Sequence, residues 1–441
     1  MGTVLFDSLQ VKDMNDYDCI VIGGGASGLM LAAGLECRGL IIEKTAKPGS
    51  KLLMSGGGHC NITHGGSIKD FINAYGGEAG QKLRKCLYRH SNMELAGWLE
   101  DAGVALLDEN GDAVFSYDLG MAERIFPASM RSSDVLNAFL HAARRGGWEM
   151  ITESGVRELQ PLRQISSDAD DAIEDTSAKS FDDDGGCADD GDSSHESAYV
   201  WKVITDDGSA YFSRNLVIAS GGITYPETGS DGSMFEVLSK LGIEISEPRP
   251  ALAPVYVRDY PYEELSGISL PDVTVTAFGS DAACTCKGKA ARMTGDLLFT
   301  HKGFSGPVIL NISRYAEPGQ LLRIKYNKEL SELPRRMQRI LEDRSRGPSG
   351  DIRTTKLAAL LDADDFTVRS VDRRGMVTAG GISLKCVDMA SMQIRIGEHE
   401  SGLYAIGEAI DADGITGGYN LQMCWSTAMT AADSIRARLD R

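Results

Sequence analysis

Gly23, Gly25 and Gly28 stand in the spacing G-x-G-x-x-G, directly after the apolar run Cys19-Ile20-Val21-Ile22 and at the head of a helix-forming stretch, 27–37. Between a strand and a helix such glycines have defined work: they permit a tight turn, admit a diphosphate to the backbone and let helix pack on strand. The free N–H groups at the helix start then face the phosphates. Residues 40–43 read as a second strand ending in Glu43, fifteen residues after Gly28. A carboxylate there accepts from ribose hydroxyls and repels a 2′-phosphate, so the adenosine half is expected to belong to FAD or NAD rather than NADP.

Three further glycine-rich segments favour FAD, because a longer cofactor needs more points where backbone comes close. Lys51, Leu52, Ser55, Gly56, Gly57 and Asn61 belong to the first; Ala219, Ser220 and Gly221 end an apolar run in the second; Gly407, Glu408, Gly418, Tyr419, Asn420 and Leu421 lie in the third. With Gly23, Gly25, Ala26, Ser27, Gly28, Glu43, Lys44 and Val156, these are the expected cofactor-binding residues. Catalytic signatures are faint when a flavin carries the hydride chemistry. His59, Asn61, Tyr419 and Asn420 are the candidates for lying beside its ring, with the N-terminus of the last helix, opening at 418–421, facing negative charge. No metal is expected. Cys60 and Cys424 are expected to be buried, inert thiols.

Elements must hold these residues together. The chain of 441 residues is long enough for two or three domains. Short strands are predicted at 156–162, 199–205, 210–213 and 216–219, with an Asp207-Gly208 hairpin turn, as a meander returning to the main sheet. Pro248, Pro250 and Pro254 mark a boundary, followed by strand-like runs at 273–278, 297–300 and 321–326, and helices at 331–344 and 354–361. The expected fold class is α/β, a Rossmann-like FAD-binding domain with a second, β-rich domain and a small helical insertion. The FAD domain is assigned to 16–248 and 386–441, the β-rich domain to 249–313 and 365–385, and a strand-plus-helical insertion to 314–364.

Composition narrows the function. The formal charge is −18, of which −11 falls in the stretch 166–197, with twelve Asp/Glu and one Lys; about −7 remains elsewhere. That stretch is expected to be a disordered surface loop. No Lys/Arg cluster stands out, so neither nucleic acid nor membrane is expected as a partner, and a small-molecule substrate is. Nine scattered cysteines suit a reducing compartment, and Asp13, Asp16 and Asp18 ahead of the uncharged run 19–35 argue against a signal peptide. A cytoplasmic protein is expected.

The blocks GGGASG at 23–28, KLLMSGGGHCNITH at 51–64, ASGGITYPETGSDGSMF at 219–235, LLFTHKGFSGPVILNIS at 297–313, TAGGI at 378–382 and GLYAIGEAIDADGITGGYNLQMCWSTA at 402–428 together resemble the BaiN/YhiN-like, or aminoacetone-oxidase-like, flavoproteins. The resemblance implies a discontinuous Rossmann-like FAD-binding domain with an inserted β-barrel-like domain and a small helical insertion within that, and an FAD-dependent oxidoreductase acting on a small organic molecule. Reduction of an activated double bond, with NAD(P)H as a transient donor, is the leading expectation, since no second nucleotide motif occurs. An O₂-dependent oxidase of a small amine and a flavin-binding protein without turnover are the alternatives, and the acidic charge speaks against a nucleic-acid-modifying flavoenzyme. One departure matters: His59 stands where the family loop carries arginine, replacing a permanent cation by a titratable one.

Overall fold

The computed structural model describes residues 16–165, 172–175, 199–278, 290–396 and 401–440. Its centre is a seven-stranded sheet running Val387–Asp388, Gln393–Ile394, Leu403–Ala405, Leu216–Ile218, Cys19–Ile22, Gly39–Ile42 and Trp148–Ile151. The last five are parallel, in register Leu216↔Ile20 and Leu216↔Leu403 on one side and Ile20↔Leu40↔Glu149 on the other. All four residues of Cys19–Ile22 are buried. Each Ile or Val there contributes roughly 1.5–3 kcal/mol by leaving water, which is why the strand is continuously apolar rather than alternating.

The helix Ala26–Gly34 packs against the helices Tyr419–Leu439 and Ser132–Arg145. Six consecutive residues, Ser27 to Ala32, are buried in it, so the helix is covered nearly all round and needs no polar face. Trp98, Phe139 and Trp425 form the aromatic part of this core, with Trp98 stacked on Phe139 at 4.6 Å.

The predicted meander forms, and its last strand, Leu216–Ile218, returns to the main sheet. Val156–Ile165, Tyr199–Thr205 and Ala210–Ser213 build a second sheet, completed by Asp16–Tyr17 pairing parallel to Ala210–Ser213. The Asp207-Gly208 turn joins two of its strands, in register Ile204↔Ala210. Within the acidic stretch 166–197, expected to be a loop throughout, Ala172–Asp175 is a strand of this sheet, paired antiparallel to Val156–Ile165. The remainder of that stretch lies outside the described residues.

A closed six-stranded barrel follows, in the order Val255–Val257, Gly303–Ser305, Ala291–Phe299, Ser269–Phe278, Leu321–Lys325 and Asp364–Val371. Leu321–Lys325, grouped above with the helical insertion, is a barrel stave. Val377–Ile382 pairs instead with Ile245–Ala251 in a two-stranded ribbon, by which the chain enters and leaves the barrel. Between the staves Leu321–Lys325 and Asp364–Val371 lie the helices Arg335–Ser345 and Thr354–Asp362. Arg344 anchors this helical pair, donating to the fully buried Asp364 at 2.7 and 2.8 Å, while Tyr262 and Tyr326 also donate to Asp364. No helix among the described residues is long and apolar enough to cross a membrane.

Candidate functional site

The turn after the first strand is tight because its neighbours leave no room for side chains. Gly23 has φ +109°, and a Cβ on it would stand 2.4 Å from the Ala219 carbonyl oxygen; one on Gly28 would stand 2.1 Å from the Gly23 oxygen. Gly25, by contrast, faces open space, with nothing within 4 Å of its would-be Cβ. It caps the helix Ala26–Gly34 without a side-chain hydrogen bond. The first-turn N–H groups of Ala26, Ser27 and Gly28 thus have no side-chain cap, the condition in which a helix N-terminus can take an anion.

Glu43 is 6% exposed and holds the far side of this turn. Its Oε2 accepts from the Gly24 N–H at 2.7 Å, and its Oε1 from the Thr45 N–H and hydroxyl, both at 2.7 Å. A carboxylate offers about four acceptor positions, so capacity for a sugar hydroxyl remains. Lys44 turns away to Asp231, at 2.6 Å. Backbone bonds from Ser154 to Glu43 and from Glu153 to Thr45 bring the start of the Val156 strand alongside.

The C-terminal segment closes on the same turn. Gly407, at φ +62°, lies so near the first helix that a Cβ would meet Ser27 Oγ at 2.5 Å. Next to it, Glu408 takes Lys51 Nζ at 2.7 and 2.8 Å. Lys51 also donates to Thr224 Oγ1 at 2.7 Å, and Glu408 Oε1 accepts from the Thr378 N–H at 2.9 Å. Four segments distant in sequence therefore meet on one ion pair. Thr224 and Thr378 escaped the residue-level reading although both sit in motif blocks, because neither threonine has a diagnostic spacing.

The loop after Lys51 folds back through left-handed residues at Gly56, Gly57, Gly58 and Cys60. Leu52 is buried beneath it, and Ser55 Oγ donates to the Leu52 carbonyl at 2.7 Å. Asn61 is oriented so that its Nδ2 donates to the Thr63 carbonyl and its Oδ1 accepts from the Gly418 N–H, each at 3.1 Å. It thereby fixes the start of the helix Tyr419–Leu439.

The other three catalytic candidates divide. Asn420 spends its amide on Gly414, accepting at 2.8 Å and donating at 3.0 Å, which shapes the loop before the helix. Tyr419 is buried, stacked on His64 at 4.9 Å and edge-on to Phe71 at 5.0 Å, and burial pushes its phenol up to about 12. His59 is exposed; its Nδ1 meets the Met130 carbonyl at 3.0 Å and its Nε2 has no partner among the described residues. His64, part of the aromatic group, carried no distinguishing signal in sequence. Ala219 is buried under the first turn, while Ser220, Gly221 and Leu421 are partly exposed at its edge. Cys60 and Cys424 are both buried free thiols, pushed up by burial to about 11 and about 12.

One buried ion pair ties the barrel side to this site. Arg314 Nη2 meets Asp413 Oδ1 at 2.5 Å, and Asp413 is 2% exposed. Burial pushes the Asp413 carboxyl up to about 6, against the pull of Arg314 and Arg249 and with help from Asp411 and Glu408.

Residues 17–180 and 191–434 match the HI0933-like protein Rossmann domain family. A protein of Haemophilus influenzae named ribosomal RNA dihydrouridine synthase is 27% identical over 96% of this chain and 99% of its own length. One of the same name from Escherichia coli is 24% identical over 96% and 99%. The 3-dehydro-bile acid delta(4,6)-reductase of Clostridium scindens is 24% identical over 95% and 98%. The resemblance to BaiN/YhiN-like flavoproteins therefore holds over the whole chain. The exclusion of nucleic acid does not: two full-length relatives carry an RNA-directed name. That exclusion rested on the acidic total and on the want of a Lys/Arg cluster in sequence, whereas a polyanion responds to the local field where it docks.

Proposed function

The chain belongs to the HI0933-like protein family, a family of FAD-dependent oxidoreductases, and on that premise we propose that it reduces a carbon–carbon double bond conjugated to a carbonyl, the acceptor being a uracil ring of ribosomal RNA. The observation that carries this reading is a shared reacting group. Forming dihydrouridine saturates the ring double bond next to the uracil carbonyl, and a delta(4,6)-reductase acting on a 3-dehydro bile acid saturates double bonds conjugated to the 3-oxo group. Substrates of very different size thus present the same electrophile. RNA is favoured because two of the three relatives described above carry that name.

Bound FAD would supply the hydride, replenished by NAD(P)H arriving transiently at the same face. The first-turn amides at Ala26, Ser27 and Gly28 would hold the diphosphate, with Glu43 on the adjoining sugar; the uncrowded backbone at Gly25 and the uncapped helix fit that group. Lys51 and Glu408 would line the middle of the cofactor, and the helix start at Gly418, set by Asn61, would face charge developing on the ring. Hydride adds to the carbon β to the carbonyl and a proton to the α carbon. His59, exposed and with Nε2 unengaged, is the candidate that can reach a substrate to manage that proton. The enzyme would act in the cytoplasm.

The deciding experiment is to incubate the purified, FAD-loaded protein with NADH or NADPH and an unmodified ribosomal RNA transcript, then digest the RNA and weigh its nucleosides. A uridine heavier by two hydrogens supports the reading. Flavin that NAD(P)H reduces but that only O₂ reoxidises, with the RNA unchanged, refutes it.

A further inference from the structure

The barrel carries an open cleft of about 600 Å³, lined by Val257, Arg258, Asp259, Tyr260, Glu263, His301, Lys302 and Arg369. None of these belongs to the Rossmann sheet. Three short pieces of backbone build it: the end of the strand Val255–Val257, the turn before Gly303–Ser305, and the strand Asp364–Val371. They are laced together by the Val257 N–H on the Lys302 carbonyl and the Arg258 N–H on the Thr367 carbonyl.

Two local irregularities direct the cations outward. Val257 pairs with Val368 while Tyr256 pairs with Ser370, so Arg369 is the extra residue of a bulge. Bulges re-aim a side chain out of the alternation of the strand. On the facing strand, Asp259 takes a left-handed conformation, φ +50°, and ends the run immediately after Arg258. Arg258, Lys302 and Arg369 are all exposed and form no ion pair among the described residues, whereas Arg323, Lys325 and Arg339 of the same inserted unit are each paired with a carboxylate. Arg373 and Arg374, both exposed, continue the basic run toward the ribbon strand Val377–Ile382, whose Thr378 bonds to Glu408.

We propose that this barrel cleft is where the sugar-phosphate backbone of the RNA substrate docks, Arg258, Lys302 and Arg369 taking phosphates and the rim carboxylates Asp259 and Glu263 accepting from ribose 2′-hydroxyls. The assignment rests on the reading of the protein as an RNA reductase. Three unpaired cations held on a strand end, a turn and a neighbouring strand offer phosphate-sized charge without neutralising one another. The two carboxylates, repulsive to phosphate alone, find a donor in the 2′-hydroxyl, which DNA lacks.

The test is a triple variant, Arg258→Ala with Lys302→Ala and Arg369→Ala, in the FAD-loaded full chain, titrated against an unmodified ribosomal RNA transcript and a DNA of the same sequence over a range of salt. Flavin content and melting temperature check that the variant is folded. The wild type is expected to prefer the RNA. The variant is expected to bind it at least tenfold more weakly, with the slope of log affinity against log salt reduced by about 2, as three lost phosphate contacts on a single strand require. A variant that binds RNA as tightly as the wild type, while the wild type still forms dihydrouridine, overturns the cleft and leaves the reductase standing. A wild type that fails to bind the transcript even at low salt overturns both.

Discussion

Lys51 Nζ lies 2.7 Å from Glu408 Oε2, joining the short helix Ser50–Met54, which follows the second Rossmann strand, to the turn after the last parallel strand of the sheet. Both side chains are largely shielded, at 24% and 15% exposure. Removing one partner strands the other charge in a poor solvent, whereas removing both does not. Lys51→Met is expected to cost about 2 kcal/mol, discounted from the fully buried case for partial exposure, and to lower flavin occupancy. The double variant with Glu408→Gln should recover most of the stability but not the flavin. Thermal denaturation beside the flavin-to-protein absorbance ratio reads both effects, and a double variant no more stable than Lys51→Met refutes the coupling.

Gly25 and Gly28 separate folding from binding. Alanine at Gly28 forces its Cβ to 2.1 Å from a carbonyl oxygen, so Gly28→Ala should fold poorly with or without FAD. Alanine at Gly25 meets nothing within the protein. Gly25→Ala is therefore expected to keep the melting temperature of the apoprotein while weakening FAD by tenfold or more, as measured by equilibrium titration. Equal FAD affinity in Gly25→Ala and wild type would remove the diphosphate from this turn.

Asp413 gives a pH signature. Its carboxyl is pushed up by burial to about 6, so the folded protein binds the proton more readily than the unfolded chain does. The contribution of this group to stability is full below the unfolded value and is lost as pH rises through about 6. The loss is on the order of 3 kcal/mol. Asp413→Asn, which keeps an oxygen for Arg314 but cannot ionise, should gain stability relative to wild type as pH rises from 4 to 7. Parallel urea-denaturation profiles across that range would contradict the shift.

His59→Arg restores a permanent cation in the glycine-rich loop. If His59 moves the proton that the substrate takes up, arginine, which holds its proton, is expected to slow substrate reduction at least tenfold with flavin content unchanged. Stopped-flow reoxidation of reduced flavin by substrate is the measurement. Equal rates for the two proteins would make His59 a loop residue held by Met130 and nothing more.

Much of the Rossmann half was legible because its signals are local. The apolar run at 19–22, the glycine spacing and the acid at 43 lie within 25 residues, and each constrains its neighbours directly. The same reading failed where partners are far apart. Nothing near Asp16–Tyr17 announces its pairing with Ala210–Ser213, and Leu321–Lys325 closes the barrel only because Ser269–Phe278 and Asp364–Val371 arrive on either side. Nothing near Lys44 announces its partner Asp231, 187 residues further on. The cations at 258, 302 and 369 lie far apart in sequence, on a strand end, a turn and a strand, so no contiguous basic run joined them, and an acidic total concealed them further.

The ribbon of Ile245–Ala251 and Val377–Ile382 places both crossings of the chain side by side. Everything between them can be exchanged at a single seam without cutting a strand of the sheet that carries the nucleotide turn. A lineage built this way is free to trade one recognition module for another while its redox engine stays untouched.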